Sequence, residues 1–136
     1  METLGALVYG NLFGRYPDLA VLSLENGSGW VDYLLTLLDK KKGMGRRGPW
    51  VGGYWSGRPS EVFRRHVYVS PYPEDDVGAL IDRIGADRVL FGSDFPHPEG
   101  LARPTDFADL VKERSEYEIR LVMRDNARAL FPEHRP

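Results

Sequence analysis

The stretch Arg88-Val-Leu-Phe-Gly-Ser-Asp-Phe-Pro-His-Pro-Glu-Gly100 decides the fold of this chain. It contains an apolar, strand-forming run over residues 89–91. The small residues Gly92 and Ser93 follow, and Asp94 comes directly after them. A short, uninterrupted apolar run is typical of a parallel strand that is covered on both faces. Such sheets bind ligands at the carboxyl ends of their strands, so the sequence predicts that Asp94 lies where chemistry takes place. The alternative is that Asp94 only caps a turn.

Two prolines restrict the loop that follows this strand. Pro96 and Pro98 prevent a helix from starting at once, so Asp94, His97 and Glu99 are expected on a rigid loop. An imidazole in this position can bind a metal ion, hold a substrate or transfer a proton near neutral pH. His97 is therefore a candidate substrate-binding residue, and a plain surface histidine is the alternative.

Strand and helix signals alternate along the rest of the chain. Apolar runs predict strands over residues 19–24, 66–70 and 89–91. Helical spacing predicts helices over residues 1–16, 30–41, 59–65, 74–84 and 105–114, and a last helix that opens with a capping box at Ser115 and Glu118. This order predicts an α/β fold with about three parallel strands and flanking helices.

Size and composition exclude several classes of protein. The 136 residues have the length of a single domain, and the net charge of −2 predicts no general attraction to nucleic acid or to an anionic membrane. No apolar run approaches the ~20 residues of a membrane span. The absence of cysteine excludes thiol catalysis and cysteine-ligated zinc. We therefore expect a cytoplasmic protein with neither a nucleic-acid nor a membrane partner.

The run Val-Leu-Phe-Gly-Ser-Asp-Phe-Pro-His-Pro98 resembles the eighth-strand motif of the amidohydrolase-related family. Members of this family are metal-dependent (β/α)₈-barrel hydrolases and decarboxylases similar to aminocarboxymuconate-semialdehyde decarboxylase. The resemblance implies a partial (β/α)₈ TIM barrel, with residues 1–136 as a single incomplete domain from the C-terminal portion. A whole barrel needs ~250 residues. The resemblance also implies that Asp94 binds the catalytic metal or handles a proton.

A second stretch, Tyr16-Pro-Asp-Leu-Ala-Val-Leu-Ser-Leu-Glu-Asn-Gly-Ser-Gly-Trp30, is similar to the family's sixth strand and the loop after it. Many members place a histidine where this chain has Glu25. A carboxylate can also bind a divalent ion or act as a base, so Glu25 is a second catalytic candidate. Asn26 and Trp30 are candidate substrate-binding residues. The alternatives are that Glu25 and Asn26 cap the next helix and that Trp30 packs in the core.

The chain departs from the family at the metal site. Members carry a His-x-His pair on the first strand, whereas this chain has three histidines and no such pair. Asp94 is then a single metal ligand, and catalytic sites use three or more protein ligands. The expected cofactor is a divalent metal, zinc or manganese, in the complete enzyme. Binding of that metal by this chain alone is expected to be weak or absent.

These observations predict the C-terminal portion of a metal-dependent enzyme that hydrolyses or decarboxylates a small carboxylated or cyclic organic substrate. Its expected partners are that small molecule and either further copies of the chain, as a homo-oligomer, or a chain carrying the N-terminal half of the barrel. Two alternatives stay open: a non-catalytic fragment, and a small α/β binding module that has lost the metal site.

Overall fold

The computed structural model describes residues 1–45, 52–53, 55 and 57–131. The chain forms two compact units, one made of Met1–Val21 with Trp30–Val67 and the other of Leu22–Gly29 with Tyr68–Pro136. Strands β1 (Val21–Ser23) and β2 (Val67–Val69) are neighbours in a parallel sheet, and helices separate them along the chain. The predicted α/β class is confirmed. Within the described ranges, no helix combines the length and the apolar character that crossing a bilayer requires.

The described residues of the first unit form the helices α1 (Glu2–Tyr9), α2 (Leu12–Arg15), α3 (Val31–Met44) and α4 (Pro59–His66). Helix α3 carries the apolar stripe that its sequence predicts, and the residues of that stripe are all buried: Val31, Leu34, Leu35 and Leu38. The continuous helix expected over residues 1–16 is wrong. Asn11 has a left-handed φ of 51°, a conformation that a helix interior does not accommodate, so the chain breaks between α1 and α2.

The second unit contains α5 (Val77–Ile84), α6 (Glu116–Arg120) and α7 (Asn126–Leu130), with a π-helical turn at Leu121–Asp125. The capping box predicted at the start of α6 is confirmed. Ser115 Oγ accepts a hydrogen bond from Glu118 N at 3.3 Å, and Ser115 N donates to Glu118 Oε2 at 3.0 Å. These two bonds satisfy donors that the first turn of a helix leaves without partners.

The helix predicted over residues 105–114 is present as a 3₁₀ helix over Pro104–Val111, so it ends three residues earlier than expected. Its first turn closes with a hydrogen bond between residues three apart, from Asp106 N to Arg103 O at 2.9 Å. The side chains of the same two residues form an ion pair at 3.0 Å, which favours this tighter spacing.

The third predicted strand is reduced to one parallel bridge between Val69 and Val89. Leu90 N still donates to Val69 O at 2.9 Å, but the next donor, Phe91 N, bonds Val122 O at 3.1 Å. Successive N–H groups of an extended chain point to opposite sides, so the Leu90 N–H faces β2 while the Phe91 N–H faces the π-helical turn. The Gly92–Asp94 segment follows directly.

The buried side-chain amide of Asn126 holds the backbone at the start of the 89–91 run. Asn126 is 5% exposed, and its Nδ2 donates to Ala86 O and to Val89 O, both at 2.8 Å. Val89 O is thereby given a donor in the core, and Ala86 O, which already accepts from Val89 N at 3.3 Å, gains a second one. Helix α7 thereby holds the backbone that leads toward Asp94.

Candidate active site

One open cavity of about 240 Å³ lies in the second unit, among residues that follow β1, β2 and the Val89 bridge. It brings together three of the side chains that the sequence singled out, Glu25, Asp94 and His97. The other lining residues are Leu24, Ser70, Pro71, Tyr72, Phe91, Gly92 and Phe95. The polar groups thus meet beside apolar and aromatic walls, which is the usual composition of a small-molecule site.

Asp94 and His97 form a hydrogen-bonded pair in this cavity, with 2.8 Å between Asp94 Oδ1 and His97 Nδ1. The Asp94 side chain is only 10% exposed, whereas that of His97 is 56% exposed. The hydrogen bond to Asp94, and then the charge of Asp94, raise the pKa of His97, and the Glu99 and Glu25 carboxylates add to this effect. An ionised carboxylate only accepts hydrogen bonds, so His97 Nδ1 carries the hydrogen of this bond. His97 Nε2 can then contact another group.

The loop that carries this pair is closed by its own backbone. Asp94 has a left-handed φ of 55°. His97 N donates to Asp94 O at 2.9 Å, and Leu101 N donates to Ser93 O at 2.8 Å, which joins the two ends of the loop. A Cβ atom on Gly100 would lie 2.4 Å from Asp94 O, so only glycine allows this closure. The prolines therefore belong to a loop whose ends are joined by hydrogen bonds.

Glu25 reaches the cavity from the loop after β1. Its backbone is also left-handed, with a φ of 55°, and its carbonyl oxygen accepts a hydrogen bond from Tyr72 Oη at 2.8 Å. A non-glycine residue in this region is uncommon and is held there by its surroundings. Glu25 and Asp94, the two catalytic candidates, thus share both an unusual backbone conformation and a cavity.

Three side chains on the Asp94 loop could hold a divalent metal ion. Asp94, His97 and Glu99 each offer one donor atom, and these atoms lie within 4.8 Å of one another. Two carboxylates and one imidazole form a donor set that suits zinc or manganese. The residues present therefore fit the metal that the resemblance implies. Glu99 was not predicted as a ligand, although its position two residues beyond His97 in the proline-rich loop is a signal for it.

The structure places the remaining candidates elsewhere. Asn26 is exposed, and its Nδ2 donates to Leu24 O at 2.5 Å. Trp30 belongs to the first unit and packs edge-on against Phe63, with 6.2 Å between ring centroids and 73° between ring planes. Their roles in substrate binding stay predictions. Sequence reasoning missed Tyr72, which follows the carboxyl end of β2, the position from which ligand contacts are expected.

Comparisons with known proteins agree with the resemblance seen in the sequence. The family model described as Amidohydrolase matches residues 2–132. A solved amidohydrolase from Mycobacterium avium subsp. paratuberculosis K-10 is 41% identical, with a TM-score of 0.84, and the match covers 94% of this chain but 32% of that one. No curated protein sequence matches the chain.

Two decarboxylases share the fold at lower identity. A dihydroxybenzoic acid decarboxylase from Polaromonas sp. JS666, solved with manganese and the inhibitor 2-nitroresorcinol, is 22% identical, with a TM-score of 0.70 and coverage of 98% of this chain and 40% of that one. A 5-carboxyvanillate decarboxylase from Sphingomonas paucimobilis is 21% identical, with a TM-score of 0.72 and coverage of 94% and 38%. The chain thus spans between about a third and two fifths of the length of these relatives. The match over residues 2–132 and the 41% identity establish that the chain belongs to the amidohydrolase family.

Proposed function

We propose that this chain supplies the C-terminal portion of a metal-dependent (β/α)₈-barrel enzyme that hydrolyses or decarboxylates a small carboxylated or cyclic organic substrate. The observation that carries the proposal is the meeting of Glu25, Asp94 and His97 in one cavity. Glu25 comes from the loop after β1, whereas Asp94 and His97 come from the loop after the Val89 bridge, far away in the sequence. A convergence of acids and an imidazole in a concave site is the usual mark of catalysis.

The charges of the cavity favour a divalent cation as cofactor. Glu25 and Asp94 are carboxylates, and no lysine or arginine is among the described residues that line the cavity. A carboxylated substrate would be repelled there unless positive charge offset the two acids. Zinc or manganese, held by Asp94 with Glu99 at hand, would supply that charge and leave His97 for proton transfer. When bound, such an ion activates water for hydrolysis or polarises a substrate carboxylate.

The chain's own residues divide the remaining work. Asp94 Oδ1 orients the imidazole through His97 Nδ1, and Asp94 Oδ2 is left to serve as a metal ligand. His97 Nε2 is then the atom that gives a proton to the substrate or takes one from it. The raised pKa of His97 favours the protonated, donating form near neutral pH. Glu25 acts from the opposite loop as a base or a further ligand.

The walls of the cavity support a planar, partly apolar substrate. Tyr72, Phe91 and Phe95 contribute aromatic rings beside the acids. The relatives act on compounds of this kind, since their names describe decarboxylases of dihydroxybenzoic acid and of 5-carboxyvanillate. We extend that substrate class to the complete enzyme, with Asn26 and Trp30 as additional contacts. The strands that complete the barrel would come from another chain or from further copies of this one.

Complementation tests the proposal directly. This chain is co-expressed with the N-terminal part of the 41% identical mycobacterial amidohydrolase, and the purified complex, called here the complemented enzyme, is loaded with manganese or zinc. It is assayed for carbon dioxide release from hydroxybenzoates and for hydrolysis of cyclic amides. We expect turnover that neither part shows alone. A stable complex without activity on any of these compounds would contradict the proposal.

Three variants locate the chemistry within the complemented enzyme. Asp94→Asn should lower kcat at least ~100-fold, the scale of losing an acid–base or metal-handling group, and Glu25→Gln should also lower activity. Asp109→Asn is the matched control, because Asp109 is an exposed aspartate on the Pro104–Val111 helix. An unchanged kcat in Asp94→Asn would remove Asp94 from the mechanism, and wild-type kinetics in Glu25→Gln would do the same for Glu25.

A further inference from the structure

A single carboxylate oxygen joins two loops of the cavity. Asp75 Oδ2 accepts hydrogen bonds from Ser28 N at 2.6 Å, from Ser28 Oγ at 3.0 Å and from Tyr72 N at 3.0 Å. Ser28 lies on the loop after β1 and is buried, and Tyr72 lies on the turn after β2. Hydrogen bonds to a charged acceptor are stronger than those between neutral groups, so this oxygen is a firm anchor for both segments.

Tyr72 makes a second connection between the same loops. Its hydroxyl donates to the backbone oxygen of Glu25 at 2.8 Å. Its ring packs against Gly27, where a Cβ atom would lie 2.8 Å from Tyr72 Cδ2 and 3.2 Å from Asp75 Oδ2. Gly27 also has a φ of 58°, so both its backbone and its surroundings require glycine. The segment from Glu25 to Ser28 is therefore held at three successive points by two residues.

This anchoring explains how Glu25 keeps its own backbone conformation. A left-handed φ costs a non-glycine residue free energy, and it persists only where neighbouring contacts determine it. The contacts that determine it here are the bond of Tyr72 to Glu25 and the bond of Asp75 to Ser28, each between residues 47 positions apart. Without them Glu25 would be free to return to an extended or right-handed conformation, and its carboxylate would leave its place in the cavity.

We infer that Asp75 and Tyr72 are positioning residues that hold Glu25 in the cavity beside Asp94 and His97. Neither is assigned to chemistry, since Asp75 does not touch the cavity among the described residues and Tyr72 acts through its bond to Glu25. The inference rests on the proposed function only in its claim that Glu25 works at this site. The claim that the two residues fix the Glu25 loop can be tested on this chain alone.

Amide hydrogen exchange measures the anchoring of the loop. In this chain, Asp75→Ala should raise the exchange rate of the Ser28 amide at least about 10-fold, because that amide loses its charged acceptor. Asp75→Asn keeps an oxygen acceptor and should restore part of the protection. Asp76→Ala is the matched control, because the neighbouring Asp76 caps α5 through Ala79 N and makes none of the bonds to Ser28 or Tyr72. Equal exchange of Ser28 in wild type and Asp75→Ala, or an equal rise in Asp76→Ala, would overturn the inference.

Kinetics of the complemented enzyme distinguish positioning from general support of the fold. Asp75→Ala should lower kcat, and Tyr72→Phe, which removes a single oxygen atom, should lower it about 3- to 10-fold with little change in KM. Because both residues act through Glu25, adding Asp75→Ala to Glu25→Gln should change kcat by less than about 2-fold. Fully additive losses would reject the positioning role. If Glu25→Gln keeps full activity while Asp75→Ala still releases the loop, the proposed function of Glu25 fails and the anchoring stands.

Discussion

Replacement of Asn126 by alanine is the sharpest test of how the backbone before Asp94 is held. The side chain is 5% exposed, and its Nδ2 is the donor to both Ala86 O and Val89 O. Ala86 O keeps its bond from Val89 N at 3.3 Å, whereas Val89 is 0% exposed, so water cannot readily replace the lost donor at Val89 O. An unsatisfied buried group costs about 1–3 kcal/mol, and we expect Asn126→Ala to lower the free energy of unfolding by about that amount.

Such a loss is a large part of the ~5–15 kcal/mol that stabilises a typical domain. Urea unfolding followed by far-UV circular dichroism, at one fixed protein concentration, measures it. Asn26→Ala is the control, because Asn26 also donates to a backbone carbonyl but is exposed, and it should cost less than about 1 kcal/mol. Asn126→Asp keeps the size of the side chain and loses the donors, so it should be at least as destabilising. If Asn126→Ala costs no more than Asn26→Ala, the buried amide does not hold this run.

Three further predictions concern metal, pH and association. Titration calorimetry of this chain alone should give a Kd for zinc or manganese in the millimolar range or weaker, because two of the three donor residues are exposed. A one-to-one site with a micromolar Kd that is lost in Asp94→Ala would contradict this prediction. The hydrogen bond from Arg114 lowers the pKa of Asp82, so the pair should stabilise the fold above about pH 4 and lose that effect as the pH falls through the lowered pKa. Arg114→Gln should flatten this acid dependence in urea titrations, and an unchanged profile would show that the pair contributes nothing. In the described part of the sheet, β1 pairs only with β2, so the other edge of β1 is open to a strand from a second copy. Analytical ultracentrifugation should therefore detect self-association. A monomer with a concentration-independent thermal transition would refute this prediction.

Local patterns in the sequence predicted those features that depend on near neighbours. The stripe of α3 follows from apolar residues at helical spacing, and the Ser115–Glu118 capping box follows from two residues three positions apart. Asp94 was predicted from its place at a strand end and Glu25 from the family resemblance, and the shared edge of parallel strands is a reason for both to line one cavity. The helical stripe and the capping box needed only periodicity and spacing.

The features that escaped prediction depend on partners that are distant in the chain. Nothing near Asp75 in the sequence indicates that its carboxylate bonds Ser28, 47 residues earlier. The same holds for Asn126 on the last helix, which bonds carbonyls 37 and 40 residues away. The third strand looked longer than it is because the run Val89–Phe91 is apolar throughout, and only the fold shows that Phe91 N bonds Val122 O.

The bond from Leu101 N to Ser93 O has a consequence for how the substrate range of such an enzyme can change. It joins the two ends of the loop, so the residues between them form a cassette whose entry and exit are fixed. Both His97 and Glu99 lie inside this cassette, whereas Asp94 stands at its entrance and is tied to it through the bond from His97 N. Exchange of Phe95, which lines the cavity, with His97, Glu99 and Gly100 retained, would alter a group that faces a substrate while the two ends of the loop stay joined. Engineering of new substrate preferences can therefore begin at this one position of the cassette.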